Sequence, residues 1–166
     1  LDNIPDWKFI SGTPDIIDLN NIIEDFNWLT NKRFISNVKS QGFVGYAFSK
    51  HFTEVIGTEL TNSLQKDTTY DLSVKVLAGQ SCMNGLNKIT IGLTKKELEN
   101  SRQAKNYQAN IVQLTTSSNE IEGGGWVELQ TSFKAKGGEK FISIGNFNNF
   151  NLQYIRDNSE LLVEGN

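Results

Sequence analysis

The sequence predicts an all-β sandwich. Asparagine, threonine, serine and glycine are abundant while alanine is scarce, a composition that favours strands joined by polar turns over packed helices. Thr68 to Ala78 alternates strictly, with Tyr70, Leu72, Val74 and Val76 on one face and Asp71, Ser73 and Lys75 on the other. That is the period of a half-buried strand. Gly137 to Phe147 supplies a second clear periodic element behind a glycine pair.

The other elements follow along the chain. Phe43 to Phe48 and Phe52 to Leu60 read as strands joined by Ser49-Lys50-His51, the second with Ile56, Thr58 and Leu60 on one face. After the Thr68 to Ala78 strand, the polar stretch Gly79 to Asn87 reads as a loop, with Cys82 and Met83 in or beside it. Lys88 to Thr94 then turns Ile89, Ile91 and Leu93 inward. Lys95 to Asn106 has helix-forming composition but almost no apolar face, which predicts a short exposed helix or a long loop. Thr115 to Gly125 is polar and then glycine-rich, a surface loop. Trp126 to Ala135 directs Val127, Leu129, Phe133 and Ala135 inward, and Lys136-Gly137-Gly138 is expected to turn it into the Phe141 to Phe147 strand as a hairpin. Upstream, Ile16 to Phe34 holds enough apolar residues for a partly helical insertion. No internal repeat, heptad or linker divides the chain, so residues 1–166 are read as one domain.

Composition bounds the function. A chain of 166 residues can bury a core without disulfides or a metal. No apolar run approaches the roughly 18 residues of a membrane-spanning helix, and membrane insertion is not expected. The net charge is -3, with lysines and acids interleaved; without a basic stripe, nucleic acid is not an expected partner. Cys82 is the only cysteine, so an intramolecular disulfide is impossible, and a single thiol fits the cytoplasm as well as an exported Gram-negative protein. The chain opens at Leu1 rather than methionine, as expected of a mature, processed or trimmed form, which leaves room for an export signal upstream.

Four stretches in order carry a family resemblance: Trp7 with Gly12-Thr13-Pro14-Asp15; Gly42-Phe43-Val44-Gly45-Tyr46; Glu54 to Leu60 leading through Leu64 to Thr69-Tyr70-Asp71-Leu72-Ser73-Val74; and Trp126 to Leu129 through Phe133-Lys134-Ala135 to Gly137–Phe147. With them the chain resembles a jelly-roll domain of exported Bacteroidetes-type proteins, found beside OmpA-like domains or in surface proteins and related in architecture to carbohydrate-binding modules. The resemblance implies a jelly-roll β-sandwich of two antiparallel sheets with a short helical or irregular insertion. It also implies a location that is extracellular, at the cell surface or on the periplasmic side of the outer membrane. Family members usually begin with an Asn-x-Ser-Phe-Glu strand and end with Tyr-Ile-Asp-Asp-Val. Here the first is absent and the end reads Tyr154-Ile155-Arg156-Asp157-Asn158. Terminal strands of that kind help to hold a structural calcium in related modules, so the ion is not carried over and no cofactor is expected.

The chemistry points away from catalysis. His51 is the only histidine, and no nucleophile elbow, phosphate loop, HExxH or CxxC pair occurs. Glycosidases need only two carboxylates, but a module of this size and shape rarely forms a deep catalytic cleft. Asp15, Asp18, Glu24 and Asp25 form an acidic stretch without the spacing of a calcium loop, read as solvated surface. Sugar-binding sandwiches use flat aromatic faces against the C–H side of a pyranose, with amides and carboxylates on its hydroxyls. The ligand-binding candidates are Trp126, Tyr107, Trp28 and Tyr46, with Asn146 and Asn148 from the Asn146-Phe147-Asn148-Asn149-Phe150-Asn151 run; Trp7 is a further aromatic of this kind. Trp126 shares a strand face with Glu128 and Gln130, opposite Val127 and Leu129. The leading expectation is a non-catalytic glycan-binding module of an exported or surface protein. The alternative is a protein-interaction or scaffolding subunit of a surface assembly, which an open sheet edge left by missing terminal strands would serve.

Overall fold

The computed structural model describes residues 6–18, 42–48, 54–78, 88–100, 109–115, 126–145, 147 and 159–164. These residues hold ten strands: β1 (Lys8–Ser11), β2 (Asp15–Asp18), β3 (Gly42–Phe48), β4 (Val55–Glu59), β5 (Thr69–Ala78), β6 (Lys88–Thr94), β7 (Asn110–Thr115), β8 (Val127–Lys134), β9 (Phe141–Gly145) and β10 (Ser159–Glu164). Their order in the hydrogen-bonded sheet is β1-β4-β9-β6-β7-β8-β5-β10-β3-β2, and the pairings are antiparallel. Between β7 and β8 the ladder thins to Thr115 opposite Gln130, and there the sheet folds over. Ile56, Ile91, Val112, Leu114 and Ile144 from one half share a buried cluster with Val44, Val76 and Leu129 from the other. Two halves that fill one core lie face to face, which makes the fold an all-β sandwich of two antiparallel layers.

Alternation builds the second layer as the sequence predicts. In β8 Leu129 is buried while Glu128, Gln130, Ser132 and Lys134 are exposed. Its partner β5 runs in register from Thr69 opposite Lys134 to Val76 opposite Val127. Tyr70 and Phe133 face each other across that ladder with ring centroids 6.0 Å apart. Trp7, a candidate sugar contact by sequence, packs instead against the main core.

The glycine turn after β8 differs from the expected hairpin. β8 bonds to β5 and β7, whereas β9 bonds to β4 and β6, so the turn carries the chain from one layer to the other. Gly137 and Gly138 have φ of 92° and 85°, left-handed values that glycine adopts without a Cβ clash. A Cβ on Gly137 would lie 2.6 Å from Lys66 Cβ and 2.9 Å from Lys66 Cα. Glu139, 2% exposed, accepts hydrogen bonds from the backbone N–H groups of Lys136 and Gly137, both at 2.7 Å. The Leu60 and Leu64 N–H groups bond to the carbonyls of Lys140 and Glu139 at 2.7 and 2.8 Å. A periodic pattern announces a strand, but its partner is set by such distant contacts.

Other expectations need correction. No helix occurs among the described residues. Ile16 and Ile17, read as part of a helical insertion, lie in β2 paired with β3, and residues 19–41 lie outside the described residues. In the stretch Lys95 to Asn106, residues 95–100 are irregular and residues 101–106 fall outside. The segment is anchored by Leu98, buried against Val55 and Phe147; one apolar residue at the right position suffices where an amphipathic stripe was sought.

Strands β1, β7 and β10 were not anticipated. β10 sits inside its layer, with Leu161 opposite both Ala78 of β5 and Tyr46 of β3, so the sheet edge expected to stay open at the C-terminal side is filled. Three successive apolar residues, Leu161 to Val163, suit a strand paired on both sides better than a half-exposed one. His51 and Cys82 lie outside the described residues.

Candidate functional site

The first layer departs from simple alternation, and that departure shapes a site. In β6 the outward Thr90, Gly92 and Thr94 are buried as well as the inward Ile89, Ile91 and Leu93. What covers them is Phe147, whose ring would meet a Cβ on Gly92 at 3.1 Å, together with Leu98 and Val55. Thr90 Oγ1 donates to the Gly145 carbonyl and accepts from the Phe147 N–H at 3.1 Å. The bond pins the aromatic over the sheet.

Beside this plug the outer face opens into a groove of ≈ 390 Å³. Two small residues on paired strands, Gly57 and Ser143, line it. A Cβ on Gly57 would stand 2.5 Å from Ile10 Cδ1 and 3.0 Å from the Ile142 carbonyl, so a larger residue here would require Ile10 to move. Ser143 Oγ donates to the Gly92 carbonyl at 3.1 Å. Ile10, Leu98 and the half-buried Phe141 add apolar and aromatic lining, and Thr58, Thr61 and Thr94 also line it.

Charged side chains form the rim. Lys8 Nζ on β1 reaches Glu97 Oε1 on the 95–100 segment at 2.6 Å; the hydrogen bond and charge of Glu97, helped by the charge of Glu59, hold the Lys8 ammonium above the ordinary lysine pKa. Lys140 Nζ pairs with Glu59 Oε1 at 3.2 Å and donates to the carbonyls of Leu60 and Thr61 at 2.9 and 3.2 Å. Asp6 adds a third carboxylate. Among the described residues, the groove lining contains neither histidine nor cysteine. Its volume falls in the ordinary range for small-ligand clefts, of the order of 300–1,000 Å³.

The sequence-derived candidates are distributed differently. Trp126 immediately precedes β8, in the layer opposite the groove; it is half-buried and its indole nitrogen is shielded from solvent. Tyr46 belongs to β3 of that same layer. Tyr107, Trp28, Asn146 and Asn148 lie outside the described residues. None of the six is among the described residues that line the groove. Phe141 was missed as a site residue, although a signal for it exists: it shares strand parity with Ser143, opposite Ile142 and Ile144, which places an aromatic on the outward face. Among the described residues no group of three or more His, Cys, Asp or Glu is placed to hold a metal, and no helix is long and apolar enough to cross a membrane. Of the acidic stretch, Asp15 and Asp18 lie in β2, and Glu24 and Asp25 fall outside.

Layers, strand order and groove together define a jelly-roll β-sandwich, and comparison with solved structures gives that class its relatives. The chain is similar to the CBM22-1 xylan-binding domain from Paenibacillus barcinonensis Xyn10C, at TM-score 0.50 and 10% identity over 97% of this chain and 83% of that one. It is also similar to the K2 cleaved adhesin domain of Lys-gingipain, at TM-score 0.49 and 11% identity over 96% and 86% of the two chains. The CBM22-2 domain of the same Paenibacillus protein gives 0.46 and 12%, over 98% and 89%. At such identities the likeness shows a shared fold, and the first match carries it. No protein-family profile matches the chain, and no curated protein matches it.

Proposed function

We propose that this protein is a non-catalytic glycan-binding module of an exported or cell-surface protein, and that the groove on the outer face of the β1-β4-β9-β6 layer is its binding site. The observation that carries the reading is the composition of that groove: the small residues Gly57 and Ser143, the Phe141 ring, and hydroxyl-bearing and charged residues. A pyranose offers a C–H face for the ring and hydroxyls for the polar groups. Two of the groove carboxylates, Glu59 and Glu97, are paired with Lys140 and Lys8, an arrangement that supports binding. The fold shared with a xylan-binding domain adds to this reading.

Affinity gel electrophoresis or a glycan array tests it. Phe141→Ala is expected to weaken retention of the bound polysaccharide roughly tenfold or more, as loss of an aromatic–sugar contact of about 1.5 kcal/mol requires. Trp126→Ala and Tyr107→Ala serve as controls for a second aromatic platform. Retention lost in those variants but kept in Phe141→Ala moves the site away from the groove, and no retention of any polysaccharide by the native chain sinks the proposal.

A further inference from the structure

We propose, building on the glycan-binding reading of this groove, that its rim selects uncharged polysaccharide chains over uronate- or sulfate-bearing ones. Two lysines line the groove, and on chemical grounds each could bind an anionic sugar. Each already has protein partners. Lys140 Nζ donates to the Leu60 and Thr61 carbonyls and lies 3.2 Å from Glu59 Oε1. Lys8 is tied to Glu97 at 2.6 Å. Among the described residues of the lining, three carboxylates, Asp6, Glu59 and Glu97, face two ammonium groups, an excess of one negative charge. A neutral chain meets hydroxyl and carboxylate acceptors for its own O–H groups. An acidic chain meets net repulsion and must displace an existing ion pair to gain a cation.

The test compares neutral polymers (xylan without uronate substituents, mixed-linkage β-glucan, mannan) with acidic ones (polygalacturonate, alginate, a sulfated galactan), by affinity electrophoresis at low salt. The native chain is expected to retain a neutral polymer at least roughly tenfold more tightly than any acidic one. In the Glu59→Gln, Glu97→Gln double variant the rim changes to one excess positive charge and both ammonium groups lose their carboxylate. The ratio of acidic to neutral retention is then expected to rise roughly 3- to 10-fold, and the rise to shrink as salt is added. Asp6→Asn, which leaves both lysine pairs intact, should move the same ratio in the same direction by a smaller factor. Thermal unfolding of each variant confirms the fold. An acidic polymer preferred by the native chain, or a ratio unmoved in the double variant, overturns the selectivity while leaving glycan binding intact. Failure to retain any polymer overturns the binding reading itself.

Discussion

The two layers of the sandwich share a core and differ on their outer faces. The β8-β5 side is a plain alternating surface, where Asp71, Ser73, Glu128, Gln130, Ser132 and Lys134 are exposed. On the β4-β9-β6 side, Thr90, Gly92, Thr94 and Ser143 are buried on the face that should meet water. A sheet buried on both sides has something packed upon it, and here Phe147 and Leu98 leave a groove beside them. Regular alternation marks the plain layer. Its breakdown marks the layer that carries the groove.

Three measurements break or sharpen that contrast. The largest effect belongs to the shared core, where Ile91 is 1% exposed and Ile91→Ala should cost about 2–5 kcal/mol in urea unfolding; a loss below about 1 kcal/mol would mean the layers do not close on one another there. Next comes the outer faces themselves. Thr90→Val keeps the shape of a buried side chain but strips the Phe147 N–H of its acceptor, for an expected loss of about 1–3 kcal/mol. Ser132→Ala removes a 2.6 Å hydrogen bond to Asp71 from the exposed face of the other layer and should change stability by less than about 0.5 kcal/mol. Equal costs for these two substitutions would erase the difference between the faces. The smallest effect concerns the groove rim. Because Lys8 is held above its ordinary pKa by Glu97, the ion pair contributes below the ordinary lysine range and its contribution is lost as pH rises through the raised value. The gap in thermal midpoint between the native chain and Lys8→Met should therefore be steady near neutrality and close in strong alkali. A gap that widens there contradicts the pairing.

Much of the fold was legible because half-buried strands write their geometry into a period of two. β5, β6 and β8 lie within a residue or two of where alternation puts them. β1 is four residues long, too short for a period to register, and β10 reads as an apolar run rather than an alternation. The hairpin expected at Gly137-Gly138 shows the limit most clearly. Its strands are local facts, but the choice of partner rests on Glu139, Lys66 and Leu64, which no local pattern connects. The site was less legible still. A search for exposed tryptophan and tyrosine led to Trp126, in the opposite layer, while the groove is built from Gly57, Ser143 and Phe141, of which two are too small to suggest a ligand at all. Its rim depends on Lys8 meeting Glu97 from 89 positions away.

The position of β10 has a kinetic meaning. β3 and β5 are bridged in the folded sheet only through Ser159–Glu164, so a nascent or translocating chain that has delivered β3 and β5 but not yet β10 holds two strand edges with no mate. Loop closure across the long segment between β5 and β10 must precede that pairing, the kind of nonlocal step that slows β-rich folding. Until it occurs, those edges are templates for aggregation, and the last strand to emerge is the one that removes them.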